Sequence, residues 1–266
     1  MLKDITIGQY LPGDSVIHQL DPRTKIIGVI LYMVGLFMVD KLEAFVAIAL
    51  LTLLVVWLSR IPLSYLLKGL KPVLVILLFT IGLHFFLTPG TVLWQLGPLK
   101  ITLEGIKQGV FMSLRLIFLV LVTSLLTLTT SPINLTDGLE KLLEPGRGIG
   151  IPAHELAMMM SIALRFIPTL LDETEKIMKA QIARGADFES GNLWQRAKNM
   201  VPLLVPLFVS AFRRADDLAL AMEARCYRGS TGRTKMKQLI MTGKDYLALA
   251  ILVLFVGWAV WYRFVF

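Results

Sequence analysis

Cysteine is nearly absent. Cys226 is the only one in 266 residues, so no intrachain disulfide can form, and no CxxC pair or His/Cys cluster is available for a structural metal. The three histidines, His18, His84 and His154, are widely scattered. Charge is scarce too: 17% of the residues are Asp, Glu, Lys or Arg, against about a quarter in a soluble domain. No nucleotide-binding loop of the form GxxxxGK[ST] occurs, and "PGRGIGIP" is a glycine-rich turn without the lysine, so the chain is not expected to hydrolyse ATP alone. HExxH, GxSxG and a plausible cysteine–histidine pair are missing, which leaves catalysis no visible home. The paired carboxylates of "LLDETEK" and "RRADDL" sit in charged helical stretches, where a solvated face explains them.

What the chain has is apolar length. Hydrophobic residues make up 56% of it, and a helix needs about 20 of them to cross a bilayer. Candidate spans cover residues 26–39, 42–58, 72–87, about 104–130 and 246–262. The first is short, which fits a tilted or shallow helix. The basic stretch "SRIPLSYLLKGLK" and the turn-rich "TPGTVLWQLGPLK" read as loops. The expected fold is therefore an all-α polytopic membrane protein with about five transmembrane helices plus a cytoplasmic region of long kinked amphipathic helices. "MLKDITIGQYLPGDS" lacks the apolar centre of a cleaved signal peptide, so the first span is expected to direct insertion.

Basic residues set orientation. Arg23 and Lys25 precede the first span, Arg60, Lys68 and Lys71 fill the second loop, and many more fall in 131–244, whereas the intervening loops hold only Lys41 and Lys100. The N terminus and 131–244 should then be cytoplasmic in a multi-pass membrane protein. The net charge of +8 reads as orientation and lipid headgroups, since no nucleic-acid-binding motif accompanies it. Three regions follow: 1–130, the N-terminal transmembrane part; 131–244; and 245–266, a C-terminal span.

Within 131–244, Ile133, Leu135, Leu139, Leu142 and Leu143 fall largely opposite Asp137, Glu140, Lys141 and Glu144, the pattern of an amphipathic helix. Two long helices are expected next, from about Ala153 to Ala186 and from about Leu193 to Tyr227. Pro168 in the first, and Pro202 with Pro206 in the second, should kink them. Both are apolar early and charged late. A transmembrane hairpin is one reading; the favoured one packs the first halves against the membrane bundle and projects the second halves into the cytoplasm. Small-residue ridges at Ala211, Ala215 and Ala219, and at Gly105, Gly109 and Ser113, invite close helix approach.

Two features carry functional weight. Arg115, near the middle of the 104–130 helix, must face protein or a polar cavity; a structural backbone partner and a substrate role both stay open. The near-repeats "AQIARGADF" (180–188) and "AMEARCYRG" (221–229) each end a helix on alanine, arginine and a small residue. Arg184 and Arg225 could insert into a partner's groove and form a bidentate bond to a carboxylate. The plainer alternative is that each complements its helix macrodipole.

The chain resembles the transmembrane component (EcfT, or T-component) of energy-coupling factor transporters over nearly its whole length. The resemblance runs from "GQYLPGDSVIHQLDPRTK", with Asp21, Pro22, Arg23 and Lys25 in its motif, through "GIPAHELAMMMSIALRFIPTL" to "AQIARG" and "AMEARC". It implies a non-catalytic scaffold joining two ATP-binding-cassette ATPases (EcfA and EcfA′-like) to a substrate-binding membrane S-component, for uptake of vitamins or other micronutrients. ATP and Mg²⁺ would bind the partner ATPases and no cofactor this chain. Ala183, Arg184 and Gly185 would dock one ATPase and Ala224, Arg225 and Cys226 the other; Cys226 stands where glycine is more usual. The apolar helix halves and residues 133–145 would face the S-component. The bilayer is a further partner, and nucleic acid is not one. A self-sufficient secondary transporter is the alternative, although such a carrier would show more intramembrane charge and internal repeats. A membrane-embedded enzyme is a third reading, lacking a polar constellation.

Overall fold

A computed structural model describes residues 10–96, 99–150, 152–188, 190, 192–229 and 238–265. The opening residues on which the signal-peptide reading mainly falls lie outside that set. The chain divides into two compact units, one made of the described residues of Gly8–Gly138 and Leu239–Phe266, the other of those of Leu139–Gln238.

In the first unit, a short α1 (Val16–Gln19) precedes α2 (Pro22–Met38), α3 (Phe45–Ser59), α4 (Leu63–Leu70), α5 (Leu74–Leu87), the strands β1 (Val92–Leu96) and β2 (Leu99–Thr102), and α6 (Leu103–Thr129). Then comes α7 (Pro132–Leu143), whose N-terminal part belongs here, and finally α11 (Gly243–Val265). Helices α2 and α11 run parallel: Asp21 meets Asp245 at their starts, and a Cβ at Gly35 would collide with the Phe255 ring further along. Tyr32 and Phe255 stack with centroids 5.9 Å apart, inside a core that includes Leu36, Phe45, Ile48, Phe111 and Ala259. Gly105 and Gly109 let α6 approach α5 at His84 and Phe85, so that ridge works as expected. The outward side chains of α3 and α5 are large, apolar and exposed, among them Leu50, Trp57, Val75 and Phe79. In water this surface would be a liability; in a bilayer it is the lipid face.

Among the described residues, five helical stretches are long and apolar enough to cross a membrane: Leu42–Ser59, Leu63–Leu87, Leu103–Thr129, Ala153–Ala183 and Gly243–Val265. The number matches expectation but one member differs. Helix α2 stops at Met38 after 17 residues, about 25 Å at ~1.5 Å per residue against a ~30 Å hydrocarbon core. The helix of Ala153–Ala183 takes its place in the set.

Two segments read as loops are ordered differently. Residues 63–70 form α4, because Pro62 at the N-cap presets the backbone and Leu63, Leu66, Leu67 and Leu70 recur at helical spacing. Leu66 is buried with Ile61, Leu125 and Leu128, while Lys68 stays outside. In the turn-rich stretch, the β-branched and aromatic residues of "TVLW" and "KIT" favour extension, and β1 pairs antiparallel with β2 in the register Gln95↔Lys100 and Leu96↔Leu99.

The second unit holds the end of α7, a 3₁₀ turn (Glu144–Ile149), α8 (Ala153–Ala183), α9 (Leu193–Asn199) and α10 (Val201–Ala224). The single helix expected from Leu193 to Tyr227 is broken at Met200. Pro202 has no N–H to bond Lys198 and its ring crowds that carbonyl, so α9 closes on Met200 and α10 restarts from it. Pro168 and Pro206 lie inside α8 and α10. In α7 the most buried positions are Thr136 and Gly138, whereas Ile133 of the apolar face is exposed.

Candidate functional site

Both arginine motifs end their helices in the same backbone device. At the end of α8 the N–H of Ala186 donates to Gln181 O at 3.0 Å and that of Gly185 to Ile182 O at 2.9 Å. At the end of α10 the N–H of Tyr227 donates to Met222 O at 3.0 Å and that of Cys226 to Glu223 O at 2.8 Å. These are Schellman caps, which satisfy the last carbonyls and need one residue in the left-handed region. Gly185 supplies it with φ +89° and Cys226 with φ +56°. Arg184 and Arg225 occupy the same cap position with nearly equal backbone angles (φ −89°, ψ 6° and φ −88°, ψ 11°). Both side chains are exposed.

Helices α8 and α10 pair antiparallel. Gln181 Nε2 donates to Pro202 O at 3.4 Å near one end. In the middle, Glu173 accepts from Arg214 Nη2 at 2.9 Å and from the Ser210 hydroxyl. At the other end Met158 and Ile162 of α8 share a cavity wall with Met222, Arg225 and Cys226. Each half of one helix thus packs on the opposite half of its neighbour. With Met158 beside Arg225, the two guanidiniums lie at opposite ends of a bar roughly 40 Å long at ~1.5 Å per residue. Their surroundings differ. Arg225 borders a cavity of about 480 Å³, while a Cβ at Gly185 would meet only open space. Ala215 and Ala219 of the alanine ridge are also exposed.

The amino-terminal motif builds a clasp. Asp21 caps α2 by accepting from Arg23 N at 2.9 Å, and grips the Arg23 guanidinium at two points, each 3.0 Å. Pro22 fits the first helical turn, where no N–H is needed. Arg23 Nη2 also reaches Leu239 O at 3.1 Å. Buried Asp245 accepts from Asp21 N at 2.8 Å and from the Thr242 N–H and hydroxyl at 2.8 and 2.7 Å. Lys25 Nζ donates to His18 O at 3.2 Å and Thr129 O at 2.9 Å. Asp21 and Asp245 are separated by more than two hundred positions, so no spacing pattern could link them. Glu173, which joins α8 to α10, was likewise hidden among solvated charges.

Arg115 donates to Val39 O at 2.7 Å, lies 3.8 Å from Asp40, and stacks over Phe111 and Phe37 at 4.6 and 5.2 Å. A backbone partner for Arg115 is therefore present. It holds the chain where α2 ends.

The helices and their apolar outer faces define a polytopic α-helical membrane protein. Residues 13–236 match the model of the cobalt transport protein (CbiQ) family. The chain is 61% identical over 247 residues to the energy-coupling factor transporter transmembrane protein EcfT of Thermosediminibacter oceani, covering 93% of each chain. It is 54% identical to that of Ruminiclostridium cellulolyticum over 266 residues, 100% of both. With that of Bacillus subtilis it shares 52% over 254 residues, 95% of this chain and 96% of the relative. The chain belongs to this family of transmembrane components of energy-coupling factor transporters.

Proposed function

We propose that this chain is the non-catalytic scaffold through which two cytoplasmic ATP-binding-cassette ATPases move a separate substrate-binding S-component, for uptake of a vitamin or other micronutrient. ATP and Mg²⁺ act on the ATPases, and this chain binds no cofactor. Arg184 with Ala183 and Gly185 docks one ATPase; Arg225 with Ala224 and Cys226 docks the other. The N terminus and residues 131–244 face the cytoplasm, in line with the lysine and arginine placement. The observation that carries this reading is the pair of identically capped arginines, both exposed, at opposite ends of one antiparallel helix pair. Points roughly 40 Å apart along a helix cannot enter one groove, so two receiving bodies are needed. A paired bar gripped at both ends converts closure of the two ATPases into rotation or tilt. The exposed apolar residues Met159, Met160, Phe208 and Phe212 offer the S-component a hydrophobic face.

Affinity purification of the tagged chain from its native membrane tests this. Two ATPases and one small membrane protein are expected in the eluate. Proteoliposomes holding the chain alone should neither bind nor accumulate substrate; substrate uptake by the chain alone would establish the self-sufficient carrier instead.

A further inference from the structure

A cavity of about 460 Å³ opens into the unit containing α2, α3, α6 and α11, within the size range of ligand sites. Its wall is apolar along its length, with Val29, Leu54, Val122 and Ile251 among the lining residues. The hydroxyls at its deep end are already committed: Thr52 donates to Ile48 O at 2.7 Å, so Tyr32, 2.7 Å from the Thr52 oxygen, donates to Thr52. No donor is left there for a polar ligand.

The opposite end is cationic. Lys25 stands in the first turn of α2 and Lys244 in the first turn of α11, and the parallel course of these helices brings both to one end of the cavity. Lys25 is buried and uses two of its three N–H donors on the carbonyls of His18 and Thr129. It takes part in none of the ion pairs among the described residues. Of the nearby carboxylates, Asp21 is paired with Arg23, whereas Asp245 accepts only neutral donors and its charge also acts on Lys25; Lys244 Nζ donates to the neutral Gln19 Oε1 at 3.2 Å. From the lysines to Tyr32 and Leu252 the groove runs about 10–12 Å at ~1.5 Å per residue, most of the ~15 Å depth of one hydrocarbon leaflet. An apolar trough of that depth, ending where Arg23, Lys25 and Lys244 outnumber the carboxylates of Asp21 and Asp245 by one charge, is shaped for an amphiphile with a negative head.

We infer that the groove is a binding site for one anionic phospholipid, an acyl chain lying along α2 and α11 and the phosphate between Lys25 and Lys244. The full-length chain, purified in mild detergent, is titrated with phosphatidylglycerol and with phosphatidylcholine of the same acyl chains and read by native mass spectrometry. One phosphatidylglycerol should be retained roughly 10- to 30-fold more tightly than phosphatidylcholine, from two lysines each contributing about five-fold. Lys244→Gln, at an exposed position, should cut that preference about five-fold. Ile251→Trp, which fills the trough two helical turns from Lys244, should weaken both lipids at unchanged helical content. Millimolar inorganic phosphate should leave the bound lipid in place. Equal retention of the two lipids, an unchanged preference in Lys244→Gln, or displacement by inorganic phosphate overturns the proposal.

Discussion

Arg184 and Arg225 hold the same position in two caps whose next residue differs, Gly185 in one and Cys226 in the other. The two cap hydrogen bonds recur at both ends, and the backbone angles of the arginines nearly coincide. The cap is therefore specified by backbone geometry, and a small β-carbon is tolerated in the left-handed region at a cost of about 1–2 kcal/mol. What differs is the setting: open space beside Gly185, a walled cavity beside Cys226. Two ends that present the same group in unequal surroundings suit two similar but unequal partners.

The comparison can be broken most severely by reversing both charges. Losing one side of a buried ion pair costs about 2–5 kcal/mol, at least about thirty-fold in affinity. Arg184→Glu with Arg225→Glu should abolish uptake by the reconstituted transporter while the chain still inserts in the membrane. Next in size is the link between the ends. Glu173→Leu strands Arg214 and the Ser210 hydroxyl, half-buried groups, and should cost about 1–3 kcal/mol, seen as faster hydrogen exchange across the middle of both helices. Gly185→Val puts a β-branched residue at φ +89°; thermal unfolding should show a loss of about 1–2 kcal/mol, with exchange faster at residues 181–186 than at 222–227. Smallest is Cys226→Gly. Relief of the left-handed strain is partly offset by the greater entropy of unfolded glycine, so a gain of about 0.5 kcal/mol and slower exchange at Tyr227 N–H are expected.

Most of the fold was legible because membrane spans announce themselves by unbroken apolar length, and α6 and α11 fall within a few residues of their expected limits. The failures share a cause. In α4 a basic, proline-led stretch looked like a loop, and its helix became visible only once Leu66 had a core to enter. Proline at 202 was read as a kink although it ends one helix and begins another. The arginine motifs were visible as repeats, but their placement at opposite ends was not, because helix direction depends on pairing partners such as Glu173 and Arg214 that lie 41 positions apart. The Asp21–Asp245 clasp joins distant ends of the chain and was beyond any local pattern.

The most direct test of the two-point grip counts ATPase subunits on the chain. Native mass spectrometry of the purified complex, for the wild type, Arg184→Glu, Arg225→Glu and the double variant, should find two ATPases, then one after either single reversal, then none. Two ATPases on the double variant, or loss of both after either single reversal, would contradict it.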